Sequence, residues 1–177
     1  DANVDTPDYQ KELLEAKLER MKQYAEAKIC RRRILISYFN EEYDKDCGNC
    51  DVCLNPRDVF DATVLAQKVL SAIARTNQNI AMTMLIDILR GSRNQNVLKH
   101  QYEQLKTFGV GKDLKYEVWV DYILQMLNYG VMDIAYDEGH TFKLNPMSVL
   151  VLKGEKKVEI AAYQSPAERK AAEEKVP

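Results

Sequence analysis

The four cysteines constrain this chain more than any other feature. They are Cys30, Cys47, Cys50 and Cys53, spaced C-x16-C-x2-C-x2-C, and the sequence holds no others. Three cysteines in a C-x2-C-x2-C run cannot all pair locally as disulfides, and nothing in the sequence points to the oxidising compartment that disulfides need. Iron–sulfur ligand runs also place cysteines close together, but they usually end in Cys-Pro or use wider gaps. Zinc takes four tetrahedral ligands, and thiolates alone can close a structural site. Gly48 and Asn49 suit the sharp turn such a knuckle needs, since both tolerate positive φ. The spacing therefore predicts one structural Zn²⁺ on Cys30, Cys47, Cys50 and Cys53.

At 177 residues the chain suits one medium domain or two small ones. Lys and Arg number 25 against 27 Asp and Glu, a net charge of −2, so any basic nucleic-acid surface must be local. No apolar run approaches the ~18 residues of a membrane span, and no signal-peptide pattern is present. The sequence shows no Walker motif, catalytic dyad or triad, or dinucleotide fingerprint, and Gly109-Val110-Gly111-Lys112 is too short for a phosphate loop. It opens at Asp1 without a methionine, which reads as a piece of a larger protein.

Taken in order, Thr6 and Pro7 fit the cap and first turn of a helix reaching about Ala27. Its apolar positions are Leu13, Leu14, Leu18, Met21 and Ala25, a stripe of core or packing surface. A second helix over 31–43 presents Ile34, Leu35, Tyr38 and Phe39, with Cys30 at its start; 44–46 is an exposed acidic turn. Asn55-Pro56-Arg57-Asp58 reads as a linker. Helical periodicity then returns over 61–73 with Asp61 as N-cap, over 82–89 with Gly91 as the stop, over 97–105, and over 116–128 with Gly130 as C-terminal cap. Beyond Gly130 the period becomes alternating: Met132, Ile134 and Tyr136 face Phe142 and Leu144 across a turn at 137–140. Helices followed by such a hairpin suggest a winged helix. The expected fold class is mostly α with a small β-hairpin. Residues 1–58 form a helical platform with the four-cysteine zinc-binding subdomain, 59–160 a winged-helix DNA-binding domain, and 161–177 a tail or linker.

Local charge gives the candidate DNA contacts. Arg90, Arg93, Lys99, Lys106, Lys112 and Lys115 face only Glu103 and Asp113 over this stretch. Arg90, Ser92, Arg93, Asn94 and Lys112 are the expected phosphate contacts, with Gln95 and the Gly111 backbone as further donors. Arg32 and Arg33 of the triplet Arg31-Arg32-Arg33 are candidates too, where they are not paired with Glu41, Glu42 or Asp51. His100 and His140 read as surface or wing residues, and Trp119 as core.

Cys30-Arg31-Arg32, Tyr38-Phe39 and Cys47-Gly48-Asn49-Cys50-Asp51-Val52-Cys53 resemble the zinc-binding subdomain of RecQ-family DNA helicases. Leu89-Arg90-Gly91-Ser92, Asn94-Gln95, Gly109-Val110-Gly111-Lys112-Asp113 and Trp119 resemble the winged-helix part of the same family's C-terminal region. The resemblance covers about residues 15–155. It implies a parent ATP-dependent helicase that unwinds duplex DNA 3′ to 5′ in repair and recombination, in the bacterial cytoplasm at the nucleoid. ATP and Mg²⁺ would act in ATPase lobes that these residues do not include, so this fragment alone should be inactive. The partner implied is duplex or forked DNA, with no membrane; the acidic tail of a single-stranded-DNA-binding protein is a further partner that the basic loop could take. The wing, with His140 in its turn, would lie near the duplex junction. Asn40 and Asn96 depart from the family, which commonly has Gly and Arg there. Two other classes fit the same residues: a zinc-stabilised DNA-binding regulator without a motor, or a protein-interaction module.

Overall fold

The computed structural model describes residues 14, 17–18, 20–22, 24–39, 41 and 45–173. The helix start expected at Thr6 and Pro7, together with Leu13, Asn40, Glu42 and Tyr43, lies outside them. Residues 14–26 are helical wherever described. Helix α1 follows at Arg31–Tyr38 and the single turn α2 at Asp51–Leu54. α1 therefore stops five residues short of the expected end: Phe39 and Glu41 turn their N–H groups back onto Ile36, and Phe39 also serves as C-cap. The expected apolar faces of this half are not buried. Only Ile34 of α1 is covered, while Leu35, Tyr38 and Phe39 are 50–71% exposed and Leu14, Leu18 and Met21 lie equally open. Helical spacing identifies an apolar face, but the neighbour that would cover it need not lie in the same 177 residues.

The remainder is organised around one core. Strand β1 (Val59–Asp61) leads into α3 (Thr63–Arg75) and α4 (Met82–Arg90), followed by α5 (Gln95–Lys99) and α6 (Tyr116–Asn128). The wing strands β2 (Asp133–Ala135) and β3 (Thr141–Lys143) come next, then α7 (Pro146–Leu152), β4 (Glu159–Ala161) and α8 (Pro166–Glu173). α3 buries Ala66, Val69, Leu70 and Ile73, a helical face packed against α4's Leu85, Ile86 and Leu89 and α6's Trp119, Ile123 and Met126. Trp119 is fully buried and donates its indole N–H to the Gly111 carbonyl at 2.9 Å, as a core role requires.

The ends of these elements follow local chemistry. Asp61 caps α3 from one position further out than expected: Ala62 holds the N-cap backbone, and Asp61 Oδ1 accepts from the Thr63 N–H at 2.9 Å and from its hydroxyl. Asn145 caps α7 with Ser148 as a reciprocal box and Pro146 at the first position. The expected helix over 97–105 is instead α5 plus a separate 3-10 turn, Tyr102–Gln104, because Gln101 turns left-handed at φ 56°.

The two sheets are antiparallel pairs of three-residue strands. β2 pairs with β3 in the register Asp133↔Lys143, Ile134↔Phe142, Ala135↔Thr141, which sends Phe142 into the core. The turn at the wing tip runs through a 3-10 turn, Tyr136–Glu138, and Gly139. β1 pairs with β4 across a hundred residues, Val59↔Ala161 to Asp61↔Glu159. That second sheet is absent from the sequence reading, and it makes Ala161 a buried strand residue.

Candidate metal centre and nucleic-acid face

Backbone geometry gathers the cysteines. Cys30 is the N-cap residue of α1 and Cys50 that of α2. Cys30 Sγ accepts from the Cys47 N–H at 3.2 Å, while the backbone N–H groups of Arg31 and Cys53 face Cys50. Cys53 lies within α2, and Gly48 at φ 73° turns the chain between Cys47 and Cys50. All four Sγ atoms fall within 4.8 Å of one another. Cys47 and Cys53 Sγ are 3.8 Å apart, which matches the edge of about 3.8 Å that a tetrahedron of ~2.3 Å Zn–S bonds requires. Donor type, number and spacing thus all fit one zinc ion. Burial pushes the Cys50 thiol up, yet the N–H groups of Arg31 and Cys53 and the sulfurs of Cys53 and Cys47 outweigh it and bring it down to about 6. Burial, with the Cys50 sulfur, pushes Cys53 up to about 12. One thiolate forms readily there and the next resists, which a divalent cation reverses.

Around the sulfurs, the arginine triplet divides its work. Arg31 forms a two-pronged pair with Asp51, at 3.0 and 2.8 Å, and donates to the Tyr24 and Ala25 carbonyls. It thereby ties the preceding helix to the knuckle; Asp51 raises its pKa, and Arg31 lowers that of Asp51. Arg33 pairs with Asp46 at 3.2 Å and lies over the Tyr129 ring at 4.9 Å. Arg32 is exposed, with no ion pair among the described residues.

A buried ion pair joins the zinc half to the winged half. Lys28 Nζ donates to Asp121 Oδ1 at 2.9 Å, with side chains only 6% and 14% exposed. Gln125 donates to the other Asp121 oxygen and bonds both the N–H and the carbonyl of Ala161 in β4. Nearby, Ser37 of α1 abuts Gly130, where a Cβ would meet its hydroxyl at 3.0 Å. The residues leading into the wing therefore rest on the zinc module.

The basic stretch folds into a compact platform at the end of α4. Arg90, Arg93 and Lys112 are exposed and Ser92 half-buried. Asn94 is fully engaged: its Oδ1 accepts from Val97 N–H at 3.0 Å, and its amide donates to Asp87 at 2.7 Å and to Ser92. The Gly111 N–H, expected to be a free donor, is committed to the Leu89 carbonyl at 2.7 Å, as Gly109 is to Ile88 at 2.8 Å. These glycines allow close approach of protein to protein. A Cβ on Gly111 would lie 2.3 Å from the Trp119 ring, and one on Gly91 3.1 Å from Gly109 Cα. His140 is exposed at the wing tip, at φ 59°, its ring edge-on to Tyr136. Sequence reasoning missed the Lys28–Asp121 bridge, because neither residue stands in a motif.

A four-cysteine knuckle joined through a buried bridge to a winged helix defines a zinc-braced winged-helix module. Residues 56–169 match the RQC domain family and residues 2–54 the RecQ zinc-binding family. The chain belongs to the RecQ family, as its zinc-binding and RQC region. It is 37% identical over 153 residues to the ATP-dependent DNA helicase RecQ of Haemophilus influenzae, covering 86% of this chain and 25% of that protein. Against the RecQ helicase of Pasteurella multocida it is 36% identical, covering 86% and 24%. The RecQ helicase of Bacillus subtilis is 32% identical over 139 residues, 78% of this chain and 24% of the relative. The chain thus spans about a quarter of the length of these curated relatives. No described helix is long and apolar enough to cross a membrane.

Proposed function

We propose that this chain is the DNA-engaging region of a RecQ-like ATP-dependent 3′-to-5′ DNA helicase acting in repair and recombination at the nucleoid. Cys30, Cys47, Cys50 and Cys53 are its zinc ligands, and the zinc is structural. ATP and Mg²⁺ act in the helicase lobes of the parent protein, a reading supported by similarity to ATP-dependent RecQ helicases of which this chain spans about a quarter. The observation that carries the DNA reading is the cluster at the end of α4. Arg90, Arg93 and Lys112 are exposed without an ion pair among the described residues, around a Ser92 whose hydroxyl can still donate. Asn94 contributes by holding Ser92 and the start of α5 in place. Such a surface reads phosphates and not base edges, so binding is duplex-directed and sequence-tolerant. Arg32 extends the basic face on the zinc side, Arg33 steadies it through Asp46, and His140 stands at the wing tip beside the fork. The acidic tail of a single-stranded-DNA-binding protein remains a second partner for the basic surface.

A salt titration on a blunt duplex tests this. Each neutralised phosphate contributes about −0.9 to the log–log slope, so Arg90→Ala with Lys112→Ala should flatten it by about two units. Zinc content should stay the same. An unchanged slope and affinity would remove the phosphate site from α4.

A further inference from the structure

The turn after α5 carries an aromatic pair that the phosphate contacts leave unused. His100 and Tyr102 are stacked, with ring centroids 5.2 Å apart and planes 17° from parallel. Gln101 between them sits at φ 56°, a left-handed conformation that a residue with a Cβ adopts at a cost. This kink separates α5 from the 3-10 turn and places the two side chains face to face. Tyr102 is half-buried and packs on the winged-helix core, whereas His100 is exposed. The stack therefore runs outward from core to Tyr102 to His100. Lys99 and Lys106 flank it in sequence, both exposed. α5 is only five residues long, about 7.5 Å at 1.5 Å per residue, so the rings lie one short helix away from Ser92, Arg93 and Asn94.

We propose that His100 is a platform on which an unpaired nucleobase of bound DNA stacks, with Tyr102 holding the imidazole from beneath. This rests on the reading that the end of α4 holds DNA by its phosphates. A ring already stacked on a half-buried neighbour loses little freedom when a third ring joins it. Every base offers a π-face, so such a platform is sequence-tolerant, and neighbouring lysines can follow the strand's phosphates. The site gives the winged half a means of distinguishing a duplex with an unpaired end from a closed one, which the phosphate contacts alone cannot do.

The test uses the 177-residue chain and three DNAs: a blunt duplex, the same duplex with a short single-stranded overhang, and that overhang made abasic with its phosphates retained. Wild type should bind the base-bearing overhang about tenfold more tightly than the abasic one, within the range of one stacked base. His100→Ala should lose that advantage and His100→Phe should keep it, while blunt-duplex affinity and salt slope stay unchanged in both. If His100→Ala keeps the advantage, or wild type binds the blunt duplex but shows none, the stacking site is wrong and the phosphate reading stands. If wild type binds none of the three DNAs, the phosphate reading fails and the stacking site falls with it.

Discussion

Among the described residues, the zinc half gathers a buried apolar cluster of three side chains, Ala27, Ile29 and Ile34. The winged half buries a continuous core that includes Leu70, Ile73, Leu85, Ile86, Trp119, Ile123, Met126 and Phe142. Such a small cluster cannot offset the conformational entropy of ordering a segment of this length, and small units of this kind depend on metals or disulfides. The winged half has no such need. One protein thus holds itself together in two ways, by coordination at one end and by burial at the other. They meet at the Lys28–Asp121 bridge, at Ser37 against Gly130 and at Arg33 over Tyr129.

Removing the metal should separate the two most strongly, because structural zinc contributes on the order of 10 kcal/mol of apparent binding free energy. A strong chelator, or Cys50→Ser, should abolish hydrogen-exchange protection over residues 24–54. Trp119, the chain's one tryptophan, is buried in the winged half and should keep its native emission. Loss of the native Trp119 signal together with the zinc would show a single cooperative unit and erase the contrast.

Breaking the bridge from one side comes next. Lys28→Met leaves Asp121 charged in a largely buried setting and should cost about 3–5 kcal/mol in urea unfolding, whereas Lys28→Met with Asp121→Leu should recover much of it. A single variant as stable as wild type would mean that the bridge does not help to hold the halves together. Gly111→Ala should act on the winged half alone. Its Cβ would collide with the Trp119 ring, costing about 1–3 kcal/mol in thermal unfolding, with bound zinc unchanged at one per chain. An unaltered Tm would show that the Trp119 pocket can yield.

The sequence discloses what its periodicities and spacings encode. The four-cysteine cluster, the helix over 116–128, the Gly91 stop and the wing hairpin all stand where local patterns place them. Three-residue strands carry almost no pattern, so β1 and β4 are legible only through their pairing a hundred residues apart. The roles of Gly109 and Gly111 are hidden for a related reason. A glycine that allows close approach to a ligand and one that allows close approach to an indole look alike until the indole is placed. Long-range polar pairs such as Lys28 with Asp121 leave no periodic trace at all.

The pairing of β1 with β4 also decides how the winged half answers to tension. Val59 and Ala161 are partners, so the chain enters and leaves this half at one point. A pull between the segments outside these strands acts on the outermost pair first and opens the ladder one rung at a time, like a zipper. The strands are three residues long, so little extension is released before the load reaches the helices. Because Ile160 is fully buried and Gln125 holds Ala161 by both its N–H and its carbonyl, opening this short ladder also pulls on the core behind it.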